Sequence, residues 1–332
     1  MVGNRPQFIK AAPLSLALRE AGIDEAVVHT GQHWDPEMSQ VFFDELGLPE
    51  PQHRLDLRTA DPEAMTAPIR ELVELEQPDW VLVMGDTNST LAGTLAAGER
   101  PVAHVEAGLR SFDLSMPEER NRIEVDRRSA LLLTPDERAA RQLQSEGVAG
   151  RTVVVGDVMA DATRLFTPLA EKHQPPAAHG SYSVLTLHRA ANTEPSRLRR
   201  IVQAINATGV RFVFPVHPRT RLALAELDAQ LADTVEQIEP LGYLAMLSLV
   251  ANAERVVTDS GGLQKEAYWL RVPCVTIRPS TEWVDTVAVG ANSLAEPESL
   301  ADSISRARFP ADAPPLYGDG HAAERIVAAL YP

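Results

Sequence analysis

The chain has 332 residues, of which 44% are hydrophobic and 23% are charged, a length that exceeds the usual size of one hydrophobic core and predicts two domains. The formal net charge of −15 argues against a surface that binds nucleic acid. The apolar runs are too short to cross a bilayer, no secretory signal is evident, and the single cysteine, Cys274, excludes an internal disulfide. We therefore expect a cytoplasmic protein with no membrane or nucleic-acid partner.

Short apolar runs alternate with longer amphipathic stretches along the chain, a pattern that is typical of βαβ units and a parallel sheet. The loop-like segment Gly3–Pro6 comes so early that we expect the first strand to be missing or cut short. In the first half, the pattern predicts strands at 26–30, 80–84, 102–106, 131–134 and 152–155, with helices at 62–76, 87–97, 117–128 and 136–146. In the second half, it predicts strands at 182–187, 210–215, 236–238, 255–258 and 274–277.

The two series of elements predict an α/β protein with two Rossmann-like, doubly wound domains and a cleft between them. The first domain would span residues 1–168 and the second residues 181–315. Residues 169–180 contain a Pro- and Ala-rich stretch that is typical of a linker. Residues 316–332 would form a C-terminal helix that packs back toward the first domain.

Polar residues follow several predicted strands, which is where ligands bind in open α/β sheets. The segment Gly3–Lys10 predicts either a phosphate-binding turn, with Arg5 and Lys10 as its cations, or an ordinary loop. Asp86 would be either a helix cap or a functional carboxylate. Glu106 ends a strand that has the pattern of a buried one, where a carboxylate without a partner is costly.

Further along, Glu118 and Arg122 lie four residues apart on one predicted helical face, where they form either a functional pair or a solvated ion pair. His188 follows a strand and suits a diphosphate or a proton transfer, or else donates to a backbone carbonyl. The segment Thr258–Ala267 has a Ser-Gly-Gly turn at a helix start, which favours phosphate binding over a plain connection, and Glu266 could accept from ribose hydroxyls. Metal-ligand spacings, a Walker loop and a nicotinamide fingerprint are missing, so neither a metal nor a cofactor is expected.

Together these motifs resemble the non-hydrolysing UDP-N-acetylglucosamine 2-epimerases, which share a GT-B-like fold with many nucleotide-sugar glycosyltransferases. The resemblance covers almost the whole chain and rests on GNRPQFIK at 3–10, HTGQH at 29–33, GDTNST at 85–90, HVEAGLRS at 104–111, PEERNR at 117–122, HR at 188–189 and DSGGLQKEA at 259–267. It implies a homodimer and a UDP-sugar substrate. It also implies catalytic roles for Asp86, Glu106, Glu118, Arg122 and His188, substrate contacts from Arg5, Lys10, His188, Ser260, Gly261, Gly262 and Glu266, and a candidate allosteric site at Gln32, His33 and His217.

The reaction implied by the resemblance interconverts UDP-GlcNAc and UDP-ManNAc, by elimination of UDP to 2-acetamidoglucal and re-addition. Trp283 stands where the family often has an arginine, and a similar stretch occurs in relatives that act on UDP-diacetamido-uronic acids, so a modified UDP-sugar is an alternative substrate. The stretch 32–38 is longer and more acidic than the family's allosteric region. A hydrolysing epimerase, a GT-B glycosyltransferase and a non-catalytic nucleotide-sugar sensor are further alternatives.

Overall fold

The structure, a computed structural model, describes residues 1–32, 46, 50–173, 180–227 and 230–332. These residues divide into two compact units, the first comprising Met1–Arg164 with Tyr317–Pro332 and the second comprising Leu165–Leu316. The division lies after Arg164, four residues before the end of the predicted first domain. Residues 174–179 of the predicted linker lie outside the described residues.

The first unit contains two parallel sheets. A two-stranded sheet pairs β1 (Val28–His29) with β2 (His53–Arg54), and Val2 adds a parallel bridge to His29 next to them. The four-stranded sheet runs in chain order, β3 (Val81–Met84), β4 (Val102–Val105), β5 (Leu131–Thr134) and β6 (Arg151–Val154). Because neighbouring strands are parallel and in chain order, the loops that follow them lie along one edge of the sheet.

Helices follow these strands, and side-chain caps fix where several of them begin. Asn4 caps the first helix through a bond from the Gln7 backbone N–H, and Thr87 caps another through a bond from the Thr90 N–H. The helices are α1 (Arg5–Glu20), α2 (Pro62–Glu76), α3 (Asn88–Ala96), α4 (Pro117–Arg128), α5 (Glu137–Ser145) and α6 (Val158–Ala170).

The second unit contains one six-stranded sheet in which every described pairing is parallel. Its strands are β7 (Ser183–Thr186), β8 (Phe212–Pro215), β9 (Val235–Ile238), β10 (Val256–Thr258), β11 (Cys274–Thr276) and β12 (Asn292–Leu294). Their spatial order is β12-β11-β10-β7-β8-β9. The chain therefore moves outward in one direction from β7 and in the other from β10, which makes the β7–β10 junction the topological switch point.

The helices of the second unit cover both faces of this sheet. Val184 and Leu185, adjacent on β7, belong to two different buried clusters, as alternation along a strand requires. One cluster includes residues of α8 (Pro195–Thr208), and the other includes residues of α10 (Tyr243–Ala251). The other described α-helices of this unit are α7 (Ala190–Thr193), α9 (Pro218–Glu226), α11 (Gly261–Trp269), α12 (Val284–Ala288) and α13 (Leu300–Arg306), and the last helix of the chain is α14 (Ala322–Leu330).

The prediction of an α/β protein built on two sets of parallel strands is confirmed. The last helix, α14, belongs to the first unit, where the backbone N–H groups of Ala322 and Ala323 donate to the buried Asp161 carboxylate. Among the described residues, no helix is both long enough and apolar enough to span a membrane.

Candidate functional site

In the first unit, two of the predicted carboxylates follow adjacent strands. Asp86 comes two residues after the end of β3, and Glu106 comes directly after β4. Met84 and Val105 are register partners, so the two acidic residues leave the same edge of the sheet side by side. Thr87 caps α3, so the capping role that Asp86 might have served is taken by its neighbour.

Lys10 forms an ion pair with the Glu106 carboxylate, and only 12% and 13% of the two side chains are exposed. Burial alone would lower the pKa of Lys10, but attraction to Glu106, Asp157 and Asp86 outweighs it, and the pKa is raised. Lys10 is therefore held as a cation beside the Glu106 carboxylate.

Asp86 lies in a different environment, although it also has a cationic partner. The Arg122 guanidinium pairs with its carboxylate, and 28% of the Asp86 side chain is exposed. The pKa of Asp86 is raised because burial, together with repulsion from Glu106 and Glu118, outweighs the attraction to Arg122. A carboxyl group of this kind accepts and releases a proton closer to neutral pH than an ordinary aspartate does.

Glu118 and Glu119 are neighbours on α4 with different surroundings. Glu118 is exposed in the first helical turn and acts on Asp86 only through charge repulsion. Glu119 is 2% exposed, and its carboxylate accepts bonds from the Ser111 N–H and Oγ–H and from the Phe112 N–H. Glu119 thus fixes the loop before α4, whereas Glu118 is the acidic side chain of this turn that solvent and a ligand can reach.

The backbone at the predicted carboxylates is unusual. Glu106 has φ of 72°, a left-handed conformation that non-glycine residues adopt rarely and at a cost of about 1–3 kcal/mol. Gly85 also has a positive φ, 70°, and a Cβ atom there would lie 3.4 Å from the Glu106 Oε2 atom. The strained backbone therefore directs the Glu106 carboxylate toward the Gly85–Asp86 turn.

Three buried groups in this unit were not predicted from the sequence. Asp157 is 3% exposed and attracts Lys10, and its place after a strand and a glycine repeats the pattern that singled out Asp86. Asp126 and His104 are fully buried and pair with each other, Asp126 Oδ1 lying 2.7 Å from His104 Nδ1. Only the tertiary structure pairs these two side chains, because 22 residues separate them in sequence.

In the second unit, the residues predicted to bind a diphosphate meet at the switch point between β7 and β10. The fully buried Asp259 carboxylate accepts bonds from the His188 and Arg189 backbone N–H groups and from the Asn192 side chain. It also lies 2.8 Å from His188 Nδ1. Burial would raise the pKa of Asp259, but these partners lower it, so the carboxylate is ionised. Because a carboxylate only accepts, His188 Nδ1 carries a proton and Nε2 faces away from Asp259.

The Ser260-Gly261-Gly262 turn begins α11. Ser260 caps the helix by accepting a bond from the Leu263 N–H, and among the described residues no atom beyond the adjoining helix backbone and chain neighbours lies within 4 Å of where a Cβ on Gly262 would be. The positive end of the helix dipole and this open backbone favour an anion. Glu266, the predicted ribose contact, is half-buried further along the same helix.

The second unit also has a cavity of about 370 Å³, which is lined in part by Arg189 and Arg278. Arg278 Nη1 lies 4.0 Å from the Cβ position at Gly261, and the guanidinium donates to Glu282 in two bonds of 3.0 Å. Burial, followed by repulsion from Arg278, lowers the pKa of Arg189. An anion near these two groups would relieve their repulsion. Arg278 was not predicted from the sequence.

The predicted allosteric residues are only partly described. Gln32 Oε1 accepts bonds from the Ser89 backbone N–H and from its hydroxyl in the first unit. His217 is exposed in the second unit, with its ring centroid 6.0 Å from that of His188. His33 and the side chain of Arg5 lie outside the described residues. An allosteric role for these residues therefore stays a prediction.

Comparison with known proteins adds sequence and structural relatives over the whole chain. Residues 16–331 match the family model described as UDP-N-acetylglucosamine 2-epimerase. A UDP-2,3-diacetamido-2,3-dideoxy-D-glucuronate 2-epimerase from Pseudomonas aeruginosa is 44% identical over 99% of this chain and 98% of its own. A UDP-N-acetylglucosamine 2-epimerase from Methanocaldococcus jannaschii is 39% identical over 99% of this chain and 97% of its own. A crystal structure of the M. jannaschii enzyme with UDP-GlcNAc and UDP superposes with a TM-score of 0.84. It is 38% identical and covers 99% of this chain and 98% of its own.

Proposed function

The chain belongs to the UDP-N-acetylglucosamine 2-epimerase family, and we propose that it interconverts UDP-GlcNAc and UDP-ManNAc without releasing the sugar. The second unit would bind the UDP moiety, and the first unit would supply the groups that move the C2 proton. One observation carries the proposal, namely that Asp86 and Glu106 leave adjacent strands in contrasting environments. A carboxyl group with a raised pKa next to a carboxylate that is paired with a lysine would provide an acid and a base in one site.

The second unit supports the binding half of the proposal. The Ser260-Gly261-Gly262 turn offers backbone N–H groups at a helix N-terminus, and His188 is held at the same switch point by Asp259. Arg189 and Arg278 add positive charge along the cavity of the same unit. These groups would stabilise the charge that develops on the UDP leaving group when its bond to the sugar breaks.

The chemistry requires that two bonds break together, because the C2 hydrogen of the sugar is not adjacent to a carbonyl. One carboxylate accepts the C2 proton, the C2–H electron pair becomes the C1=C2 double bond, and the C1–O electron pair leaves with UDP. In the return step, the UDP oxygen attacks C1 while a carboxylic acid on the opposite face protonates C2. Asp86 and Glu106 would share these steps, with Glu118 as the accessible third carboxylate.

The first experiment incubates the protein with UDP-GlcNAc alone in D₂O and follows the sugar by proton NMR. We expect UDP-ManNAc with deuterium at C2. Free N-acetylmannosamine with UDP would instead identify a hydrolysing epimerase, because water would have captured the intermediate. Unchanged UDP-GlcNAc in the presence of measurable UDP binding would contradict the proposed substrate.

A second candidate function is 2-epimerisation of a modified substrate, a UDP-2,3-diacetamido-uronic acid. It is favoured by the 44% identity to the P. aeruginosa enzyme and by Trp283, which stands where the family often has an arginine. In this protein Trp283 is buried, and the Lys265 Nζ atom lies 3.9 Å from the centre of its ring. Parallel kcat/KM measurements on both UDP-sugars decide between the candidates, the larger value identifying the substrate.

We also propose that the protein is a homodimer, as the resemblance implies. We further propose that it is cytoplasmic, because its single cysteine, which is buried, suits a reducing compartment. Light scattering after size-exclusion chromatography measures the mass against the 36.2 kDa of one chain. Fractionation of cells that express the protein tests the compartment.

A further inference from the structure

We propose that Asp126 is a positioning residue. Acting with His104, it holds the two loops that carry Asp86 and Glu106 in fixed positions relative to each other. The inference rests on the proposed function, because it assigns a role in arranging the two carboxyl groups of that site. Asp126 itself lies on α4, is fully buried, and contributes no contact that a substrate could reach.

The Asp126 carboxylate binds three groups at once. Its Oδ1 atom lies 2.7 Å from His104 Nδ1, while Oδ2 accepts a 3.2 Å bond from the Gly108 backbone N–H and lies 2.7 Å from Arg110 Nη1. Burial alone would raise the pKa of Asp126, but these partners lower it, so the carboxylate stays ionised. Each of its two oxygens therefore has at least one partner within the protein.

The first link runs through His104 to the Asp86 loop. His104 Nε2 lies 2.7 Å from the carbonyl oxygen of Gly85, the residue that precedes Asp86. Each ring nitrogen of His104 thus faces an oxygen acceptor, one on Asp126 and the other on Gly85. The Asp126–His104 pair thereby fixes the orientation of the Gly85–Asp86 peptide.

The second link runs through the backbone to Glu106. Gly108, whose N–H binds Asp126, is two residues beyond Glu106 and has φ of 80°. A Cβ atom at Gly108 would lie 2.5 Å from the Ala139 carbonyl oxygen, so this turn is closely packed on α5. Glu106, with its strained φ, therefore lies just before a turn that is held by Asp126 and by packing against α5.

The helix that carries Asp126 also contacts the Asp86 loop directly. Asn121 donates a 3.1 Å bond to the Asp86 carbonyl oxygen, and Arg122 pairs with the Asp86 carboxylate. Three residues of α4 thus reach the same loop, two directly and Asp126 through His104. A displacement of about 1 Å at a reacting group can cost about a hundredfold in rate, so this alignment bears on catalysis.

The test compares Asp126→Asn with Asp161→Asn in the full-length protein. Asp161 is a matched control because it is also a buried carboxylate of the first unit, 3% exposed, that accepts two backbone bonds, from Ala322 and Ala323. We expect Asp126→Asn to lower kcat by about tenfold to a hundredfold while KM stays within about threefold, since UDP is held by the other unit. Asp161→Asn should lower the melting temperature but leave kcat within about threefold.

A second measurement does not depend on turnover. Hydrogen exchange followed by mass spectrometry should show faster amide exchange in the peptides containing Asp86 and Glu106 for Asp126→Asn and for His104→Gln, but not for Asp161→Asn. Equal exchange in all four proteins, or a loss of kcat that Asp161→Asn reproduces, would overturn the positioning role. If wild type lacks epimerase activity but these exchange differences appear, the proposed function fails while the two links are upheld.

Discussion

Replacement of Asp86 by Asn is the sharpest test of the proposed chemistry. The two side chains have the same size, and the remaining carbonyl oxygen can still accept a bond from Arg122, so the loop should keep its conformation. The variant cannot accept or deliver the C2 proton. Loss of one general acid or base typically lowers the rate by about 10²–10⁴, equivalent to about 3–5 kcal/mol of barrier.

The pH dependence of the reaction can be predicted from the same contacts. Arg122 is the one attraction from α4 that opposes the rise in the pKa of Asp86. In Arg122→Gln this attraction is gone, whereas burial and repulsion from Glu106 and Glu118 remain, so the pKa of Asp86 should rise further. Because the side chain is 28% exposed, solvent screens the effect, and we expect a shift of about one pH unit.

The assay is the initial rate of C2 epimerisation, measured with deuterium incorporation across the pH range in which both proteins stay folded. The plot of rate against pH should have a limb that reflects the titration of Asp86. In Arg122→Gln this limb should move to higher pH, and in Asp86→Asn it should be lost. The affinity of both variants for UDP should stay within about twofold of wild type. An Asp86→Asn enzyme with kcat within a few-fold of wild type would refute the assignment, as would an Arg122→Gln limb that stays in place or moves to lower pH.

Three other predictions concern backbone, ligand binding and reactivity. Gly108→Ala should destabilise the protein by about 2–5 kcal/mol in denaturant melts, because it combines a positive φ with a backbone clash, whereas Gly147→Ala, with φ of 67° and open space, should cost about 1–2 kcal/mol. His188→Ala should weaken UDP binding about tenfold by calorimetry, and His321→Ala, which removes an exposed His–Glu pair, should not. Cys274, buried with its pKa raised to about 12, should react with iodoacetamide at least a hundredfold faster in denaturant than in the native protein.

Each of these has a result that would contradict it. Equal melting midpoints for the two glycine variants would mean that the turn at Gly108 adapts without strain. Unchanged UDP affinity in His188→Ala would exclude this side chain from the diphosphate site. Rapid alkylation of the native protein would show that the strand carrying Cys274 opens readily.

Much of the fold could be predicted from the sequence, because the bounds of a helix or strand depend largely on residues that are close together in the chain. The helices at 62–76 and 117–128 have the predicted bounds, since each begins with a proline at the first helical position. The strand at 131–134 is likewise as predicted, since its four residues are buried and form a continuous apolar run that ends in threonine. The two-residue strand His53–Arg54 was missed, because so short a segment has no periodicity to detect.

The sequence alone also singled out Asp86, Glu106 and the Ser260-Gly261-Gly262 turn, because polar or glycine residues directly after an apolar run mark the ligand-binding edge of a parallel sheet. Only the tertiary structure decided what surrounds them. The Arg122 side chain pairs with Asp86, although helical spacing places it next to Glu118. The pairing of Asp126 with His104 joins a helix to a strand, and such long-range contacts depend on how elements pack, which no local pattern of residues encodes.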